Sequence, residues 1–464
     1  MVRRTEMRVG PTPAGEFDLE VPVLIIGAGA CGLTAALAAT DAGGEALVVE
    51  ADSVPAGSTA LSAGLIPAAG TRFQREAGIE DDAGLFAADI QRKAGGENPQ
   101  DLVDALASGA AEAIEWLADR HGLPFSLVQD FDYPGHSRRR MHGLPTRSGR
   151  ELIDHLRARA EQLGIDILCN RRAETLFWQD DRVTGVEVIG PTGPERIGCN
   201  ALILACNGFG GNRELVKRHM PEIAEALWFG HDGNKGDAIS WGADLGAASR
   251  HLGAYQGHGN VAHPHGILIT WAVITEGGVQ VNLAGARFWN EAQGYSEAAR
   301  AVLAQPKGVA WSIFDARIAD IARQFQDFKD AEAAGAIRSG ETIEELAFAC
   351  DLPPETLAQT IAAIPPVGRD PFGRSFERPP LAPPYHAVKV TGALFHTQGG
   401  LDVTPNAQVR RADGNGHFDT LFAAGGAAVG VSGTADSGYL SGNGLLSAIV
   451  LGRTAGRAAG LIAP

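Results

Sequence analysis

The chain has 464 residues, 45% of them hydrophobic and 20% charged. That balance belongs to a folded globular protein, and the length implies two or three domains. A formal net charge of −16, with no long lysine or arginine run to compensate locally, repels a phosphate backbone and excludes nucleic acid as a partner. The five cysteines, Cys31, Cys169, Cys199, Cys206 and Cys350, are scattered and never spaced C-x-x-C. They argue against a disulfide framework or a redox dithiol and leave a reducing cytoplasm as the expected location.

The first twenty residues read as a polar extension, and Arg3-Arg4 has no apolar stretch close behind it to make an export signal. The apolar run 21–39 is interrupted by Gly27, Gly29 and Gly32, so strand, turn and helix explain it better than a membrane span. Residues 21–26 are a buried strand, Gly27-Ala28-Gly29-Ala30-Cys31-Gly32 the turn, and 33–42 the helix. This is the dinucleotide fingerprint in its required context. The glycines permit the tight turn, Gly29, Ala30 and Cys31 can bring backbone amides to a pyrophosphate, and the helix N-terminus faces the negative charge. Residues 47–50 are the second strand. Glu50 ends it, can accept hydrogen bonds from an adenosine ribose, and is followed by Ala51 on the same cofactor edge.

The loop after this strand suggests FAD rather than a nicotinamide cofactor. Gly57, Ser58, Thr59, Ser62, Ala63 and Gly64 supply hydroxyls and unhindered amides where a longer cofactor would continue; the plain alternative is a polar loop. Segments 183–189 and 196–205 flank a Gly/Pro turn as a hairpin, and 201–205 runs into Asn207-Gly208-Phe209-Gly210-Gly211. Ala205, Asn207, Gly208 and Asn212 are assigned to the cofactor. Helical patterns cover 316–328 and 342–350 and end at the proline-rich stretch 379–384. Near the C-terminus, 421–426 is a strand carrying Gly425. Ser441-Gly442-Asn443-Gly444 then opens a helix over 445–459, with Gly442, Gly444, Leu445 and Leu446 towards the flavin, whose reduced form a helix N-terminus would stabilise. There is no second fingerprint, so electrons are expected to pass through the substrate pocket or to an external acceptor.

In this order the segments resemble the fumarate reductase and succinate dehydrogenase flavoprotein superfamily, which includes the 3-ketosteroid dehydrogenases. The resemblance extends through Gly233-Asn234-Lys235-Gly236-Asp237, His263-Pro264, Arg287-Phe288-Trp289-Asn290-Glu291, His396-Thr397-Gln398-Gly399-Gly400 and Leu421-Phe422-Ala423-Ala424-Gly425. It implies an α/β protein: a Rossmann-like FAD-binding domain built from 1–256 and 390–464, with an inserted α+β clamp, or catalytic, domain over 257–389. It also implies that an acid follows Ala-Ala-Gly; here that place is Gly426. No covalent attachment point for the flavin is identifiable, so FAD is expected to bind non-covalently.

Fumarate-type members flank their substrate with two histidines and two arginines. His263 and His396 match the histidines, whereas the arginine positions fall on Tyr295 and Tyr439. The chain has only five tyrosines. A dicarboxylate would lose its charged, bidentate partners by this exchange, while a ketone oxygen needs only a neutral donor. The pattern resembles the 3-ketosteroid dehydrogenases, which implies Tyr295 as the base removing the α-proton, Tyr439 as carbonyl donor and the Asn443 amide as a second donor. Tyr133 could relay the proton or simply pack; His263 and His396 could act in chemistry or only bond backbone. His258 and His265 read as ordinary neighbours, and Arg138-Arg139-Arg140 as a solvated face that could sense an acidic substituent. The expected activity is introduction or reduction of a C=C bond beside a ketone, with a cyclic ketone or 3-oxosteroid-like substrate. The alternatives are a fumarate-like reductase of an unsaturated acid and a flavin-binding electron carrier without turnover.

Overall fold

The computed structural model describes residues 8–129 and 132–462; Arg3-Arg4 and Phe131 lie outside them. Two compact units form. One takes Met1–Met220, Gly230–Tyr255 and His396–Pro464, the other Pro221–Phe229 and Gln256–Phe395.

In the first unit Leu19–Ile26 is a central strand whose last four residues, Val23 to Ile26, are apolar and buried on both faces, as strands buried between layers must be. It pairs in parallel with Ala46–Val49 on one side and Gly193–Leu204 on the other. The sheet continues through Asp166–Leu168 at one edge. At the other, Arg172–Gln179, Arg182–Gly190 and Gly193–Leu204 run as an antiparallel meander, and His417–Ala423 adds in parallel to Gly193–Leu204. The expected polar extension is partly a strand: Arg8–Pro11 pairs in parallel with Arg172–Gln179. Four residues that include a glycine and a proline are too little to announce that pairing, which a tertiary edge supplies.

Two helices cross directly over the sheet, Ala30–Asp41 and the C-terminal Asn443–Ile462. Their closeness is written in the sequence as Gly452, Gly456 and Gly460, four residues apart and so on one helical face. A Cβ on these would lie 2.7 Å from the Cys31 carbonyl oxygen, 2.0 Å from that of Ala35 and 2.7 Å from that of Ala39. Among the described residues Asn443–Ile462 is the one helix long and apolar enough to cross a membrane, and its apolar face is spent on this core.

The second unit has its own sheet, in the order Ile267–Leu268, Tyr255–Ala262, Tyr385–Thr397, Val309–Asp315, Val279–Val281, with Leu227–Trp228 and Ile337–Gly340 also pairing with Tyr385–Thr397. The helix expected over 316–328 is in fact two, Ala316–Ala322 and Gln326–Ala333. Asp315 caps the first through the Ile318 amide. The chain breaks at 323–325, where Arg323 is held by Asp320 and Glu332. The helix expected over 342–350 is Ile343–Cys350, capped by Thr342.

Candidate active site

The fingerprint turn in the first unit is tight. Gly27 has φ 106, a conformation glycine alone adopts readily, and a Cβ on Gly32 would sit 1.8 Å from the Gly27 carbonyl oxygen. Gly29 caps the helix without any side-chain hydrogen bond. Ala30 donates to Thr59 Oγ1 at 3.2 Å, and Leu33 closes the first turn on Gly29 at 3.0 Å. The amides of Cys31 and Gly32 therefore have no intrahelical acceptor and lie at the positive end of the helix. Glu50 spans the turn, accepting from Ala28 at 2.7 Å and from Asp52 at 2.9 Å, with Ala51 exposed beside it.

The hydroxyl-rich loop is more self-contained than its sequence suggests. Ser58 accepts from Asn234 Nδ2 at 2.8 Å. Ser62 donates to the Thr59 carbonyl and accepts from Gly64. The Gly149 amide binds the Ser62 carbonyl at 2.8 Å, fastening the loop to the helix Gly149–Gln162. Gly57 and Ala63 leave it partly open.

The second segment lies beyond the strand Gly193–Leu204. Ala205 donates to Ile26 at 2.9 Å, and Asn207, at φ 66, accepts from the Gly208 amide at 2.8 Å. A Cβ on Gly208 would meet Thr397 Oγ1 at 1.9 Å, and one on Gly426 would meet Asn207 Oδ1 at 2.1 Å. Asn207 thus fills the ground that a side chain after Ala-Ala-Gly would need. Gly425, at φ 58, backs onto Cys31. The Asn212 side chain is committed to protein: it caps the helix Arg213–His219 through Leu215 and donates to Lys235.

The third segment is the start of the C-terminal helix. Leu446 donates to Gly442 at 2.9 Å, making Gly442, at φ 87, the capping residue. The Asn443 amide donates to Leu440 at 3.1 Å, so it is already engaged and cannot be the second carbonyl donor that the sequence suggested. The first-turn amides without an intrahelical acceptor are those of Gly444 and Leu445. Leu446 is fully buried in the core. A Cβ on Gly444 would be in ordinary contact with Gln398 Nε2 at 3.7 Å, His396 Nδ1 at 4.0 Å and Tyr439 Oη at 4.0 Å. Phenol, imidazole and carboxamide thus converge on one helix N-terminus. Burial pushes the His396 pKa down to about 4, so the ring is neutral.

Tyr133 packs against Leu65, Val128 and Met141. Three residues on, His136 Nε2 donates to the Ser441 carbonyl at 2.9 Å, bracing the turn that carries Tyr439. Arg138 and Arg139 are exposed as expected, but Arg140 is fully buried. Asp81 and Asp89 hold it at 2.8 and 2.5 Å, because a guanidinium inside a core must be paired.

In the second unit Tyr295 opens the helix Tyr295–Leu303 after Gly294, which takes φ 134. Its ring stacks on His258 with centroids 4.9 Å apart, and Trp271 meets it edge-on at 6.3 Å. His258 also stacks on Phe395 at 5.2 Å. His263, the histidine singled out from sequence, is instead exposed at the turn after Tyr255–Ala262, while His258 is buried. Burial lowers the His258 pKa to about 3. Its Nδ1 accepts the Asn260 amide at 3.2 Å, leaving the ring proton on Nε2. The signal that could have found it is the pair His258 and Asn260, two apart on one face of a strand. Arg287 and Arg374 are both bound to the buried Glu291, at 2.5 and 3.1 Å, and Arg287 also to Asp370.

The family described as FAD binding domain matches residues 22–445. The chain belongs to this FAD-binding family. A probable fumarate reductase of Shewanella frigidimarina is 33% identical over 447 residues, 94% of this chain and 74% of that protein. Among solved structures, the open conformation of a flavocytochrome c3 fumarate reductase superimposes with a TM-score of 0.82 at 31% identity, over 96% of this chain and 79% of that one. A 3-ketosteroid-Δ4-(5α)-dehydrogenase of Rhodococcus jostii RHA1, solved with 4-androstene-3,17-dione, gives 0.76 at 25% identity over 98% and 99%. The chain is an FAD-dependent oxidoreductase.

The residues present fit FAD. Two orphan amides, Cys31 and Gly32, at a bare glycine cap suit a pyrophosphate, and Glu50 at the second strand end suits a ribose. A second helix N-terminus, at Gly444 and Leu445, offers donors to a flavin edge or a carbonyl oxygen.

Proposed function

We propose that this FAD-dependent oxidoreductase, which acts on carbon–carbon bonds, uses a neutral carbonyl compound, a cyclic ketone or 3-oxosteroid-like molecule, as the partner of its flavin. FAD, held non-covalently, supplies the hydride acceptor, or donor in the reverse direction, at the β-carbon. The chain's own part is proton handling and charge stabilisation. Tyr295 removes or returns the α-proton. The Tyr439 hydroxyl and the amides of Gly444 and Leu445 donate to the carbonyl oxygen, which carries the charge as the α-proton leaves. His396 adds a neutral N–H. An α-proton beside a carbonyl becomes removable only when that charge is met by donors already in place.

One observation carries the reading: the groups gathered at Gly444 are a phenol, a carboxamide and a histidine held neutral by burial. The rival, reduction of an unsaturated dicarboxylate, is favoured by the name of the Shewanella relative. It needs cations to grip two carboxylates, and Arg140, Arg287 and Arg374 are all buried against carboxylates of their own.

Anaerobic mixing of the purified yellow protein with saturated cyclic ketones and with succinate, followed at the flavin absorbance, tests the choice. Bleaching by the ketones and none by succinate is expected. Bleaching by succinate alone overturns the proposal, and no response to any substrate or to enones after chemical reduction points to an electron carrier.

A further inference from the structure

Resting on the proposed role of His396, we infer that Gln398, with Ser432 and Asn443 behind it, is a positioning residue that locks His396 in the Nε2–H tautomer, so that the imidazole acts as a hydrogen-bond donor and neither as a cation nor as a base.

A buried chain of donors and acceptors sets the tautomer, and it starts from an atom that cannot change its part. The Val431 carbonyl only accepts. Asn443 Nδ2 lies 2.8 Å from it, which fixes the orientation of the Asn443 amide, since the flipped form would set two oxygens against each other. The same Nδ2 lies 3.2 Å from Ser432 Oγ, so the hydroxyl accepts there and must give its own proton elsewhere. Its other partner is Gln398 Oε1, at 2.9 Å. That fixes Gln398 with its oxygen towards Ser432 and its Nε2 towards His396. Gln398 Nε2 then donates to His396 Nδ1 at 2.8 Å. A nitrogen that accepts carries no proton, so the proton sits on Nε2.

Gln398, Ser432 and Asn443 are 3%, 1% and 0% exposed, so water cannot replace any link in the chain. His396 as a whole residue is not fully buried, unlike the three residues behind it. The two ends of the chain differ in consequence. Asn443 is fixed by a backbone carbonyl that no pH change alters, whereas a lone imidazole would interconvert its tautomers freely. A donor that is present in every molecule, rather than in a fraction of them, costs no reorganisation when charge develops on the substrate oxygen. Gln398 faces the ring with an N–H; a carboxylate there would draw a proton to Nδ1 and charge the ring.

The test is ¹⁵N NMR of the FAD-bound enzyme labelled at histidine, the His396 signals being those lost in His396→Gln. The wild type is expected to show a protonated Nε2 and an unprotonated Nδ1 across the range in which an ordinary histidine titrates. Gln398→Glu is expected to move the proton to Nδ1 or to hold the ring as imidazolium, and Gln398→Met to give exchange-averaged tautomers. Flavin reduction by substrate should fall on the order of tenfold in Gln398→Met, with the flavin spectrum unchanged, and Gln398→Asn with Ser432 intact should not restore it, being too short to reach both partners. An Nδ1–H ring in the wild type, or a tautomer that Gln398→Met leaves untouched, overturns the inference. If the tautomer behaves as stated but His396→Gln reduces at the full rate, the inference about the lock stands and it is the substrate role of His396 that fails.

Discussion

A phenol that returns a proton cannot be replaced by a phenyl ring, and this makes Tyr295 the most exposed part of the proposal. Tyr295→Phe keeps the stack on His258 and Trp271 and removes only the hydroxyl. The expected result is a yellow, folded protein whose flavin reduction by substrate is slower by about 10³-fold; a full rate removes Tyr295 as the base. Tyr439→Phe takes away one donor of several and is expected to cost about a hundredfold, with a weaker effect on substrate binding, measured in the same stopped-flow assay. Both tyrosines stood out in the sequence because a rare residue type falls where the family resemblance implies a cation. His258 was not, because a histidine inside a strand looks like any other until its ring is seen against Tyr295. The Asn443 amide was misread for a related reason: which first-turn amide stays orphaned depends on the capping residue, and a one-residue shift of the helix start to Gly442 hands the part to Gly444 and Leu445.

Elements were easier to read than their ends. The fingerprint strand and helix, the hairpin of Arg182–Gly190 with Gly193–Leu204 and the C-terminal helix all announce themselves by period and by turn residues. The edge strand Arg8–Pro11 does not, since its partner strand is distant in sequence, and neither does the break at 323–325, where Arg323 bridges to Asp320 and Glu332. The glycine ladder of the C-terminal helix lay between these cases, visible as spacing yet without meaning until the facing carbonyls of Cys31, Ala35 and Ala39 are known. It yields a direct prediction. Gly456→Leu drives a side chain into the Ala35 carbonyl, 2.0 Å from where its Cβ would stand, and forces apart the two helices whose N-termini are proposed to supply the cofactor and carbonyl donors. The loss should be about 3 kcal/mol, read as a lower melting temperature together with weaker retention of FAD. Arg457→Ala, on the exposed side of the same helix, should change neither.

Across the whole molecule the buried histidines tie stability to pH, and the sign depends on which state takes up protons. Burial lowers His142 to about 4 and His258 to about 3 from an ordinary 6.5. His136 and His396 fall to about 4, burial again being the largest cause. When the chain unfolds these rings return to ordinary imidazoles. Above 6.5 neither state binds the protons and stability is level. As the pH drops from there towards 4 the unfolded chain takes them up while the folded one does not, so stability falls, by about 1.4 kcal/mol per pH unit for each such ring. His142 and His258 alone therefore account for a slope of about 3 kcal/mol per unit. Asp89 acts lower down: burial pushes its carboxyl up, but hydrogen bonds from Ser137, Arg140 and Arg92 outweigh that and bring it to about 2. Its contribution is present above the ordinary carboxylate range and is lost as the pH falls from that range through about 2. The melting temperature of the FAD-bound protein should accordingly be flat between about pH 7 and about pH 8, decline steadily below about pH 6.5, and decline less steeply in His142→Gln, where the amide can still reach Thr71, the hydroxyl that His142 Nε2 meets at 2.9 Å. A melting temperature unchanged down to pH 5 would mean that these rings carry protons in the fold, and a charged His396 could not then serve a ketone in the way proposed.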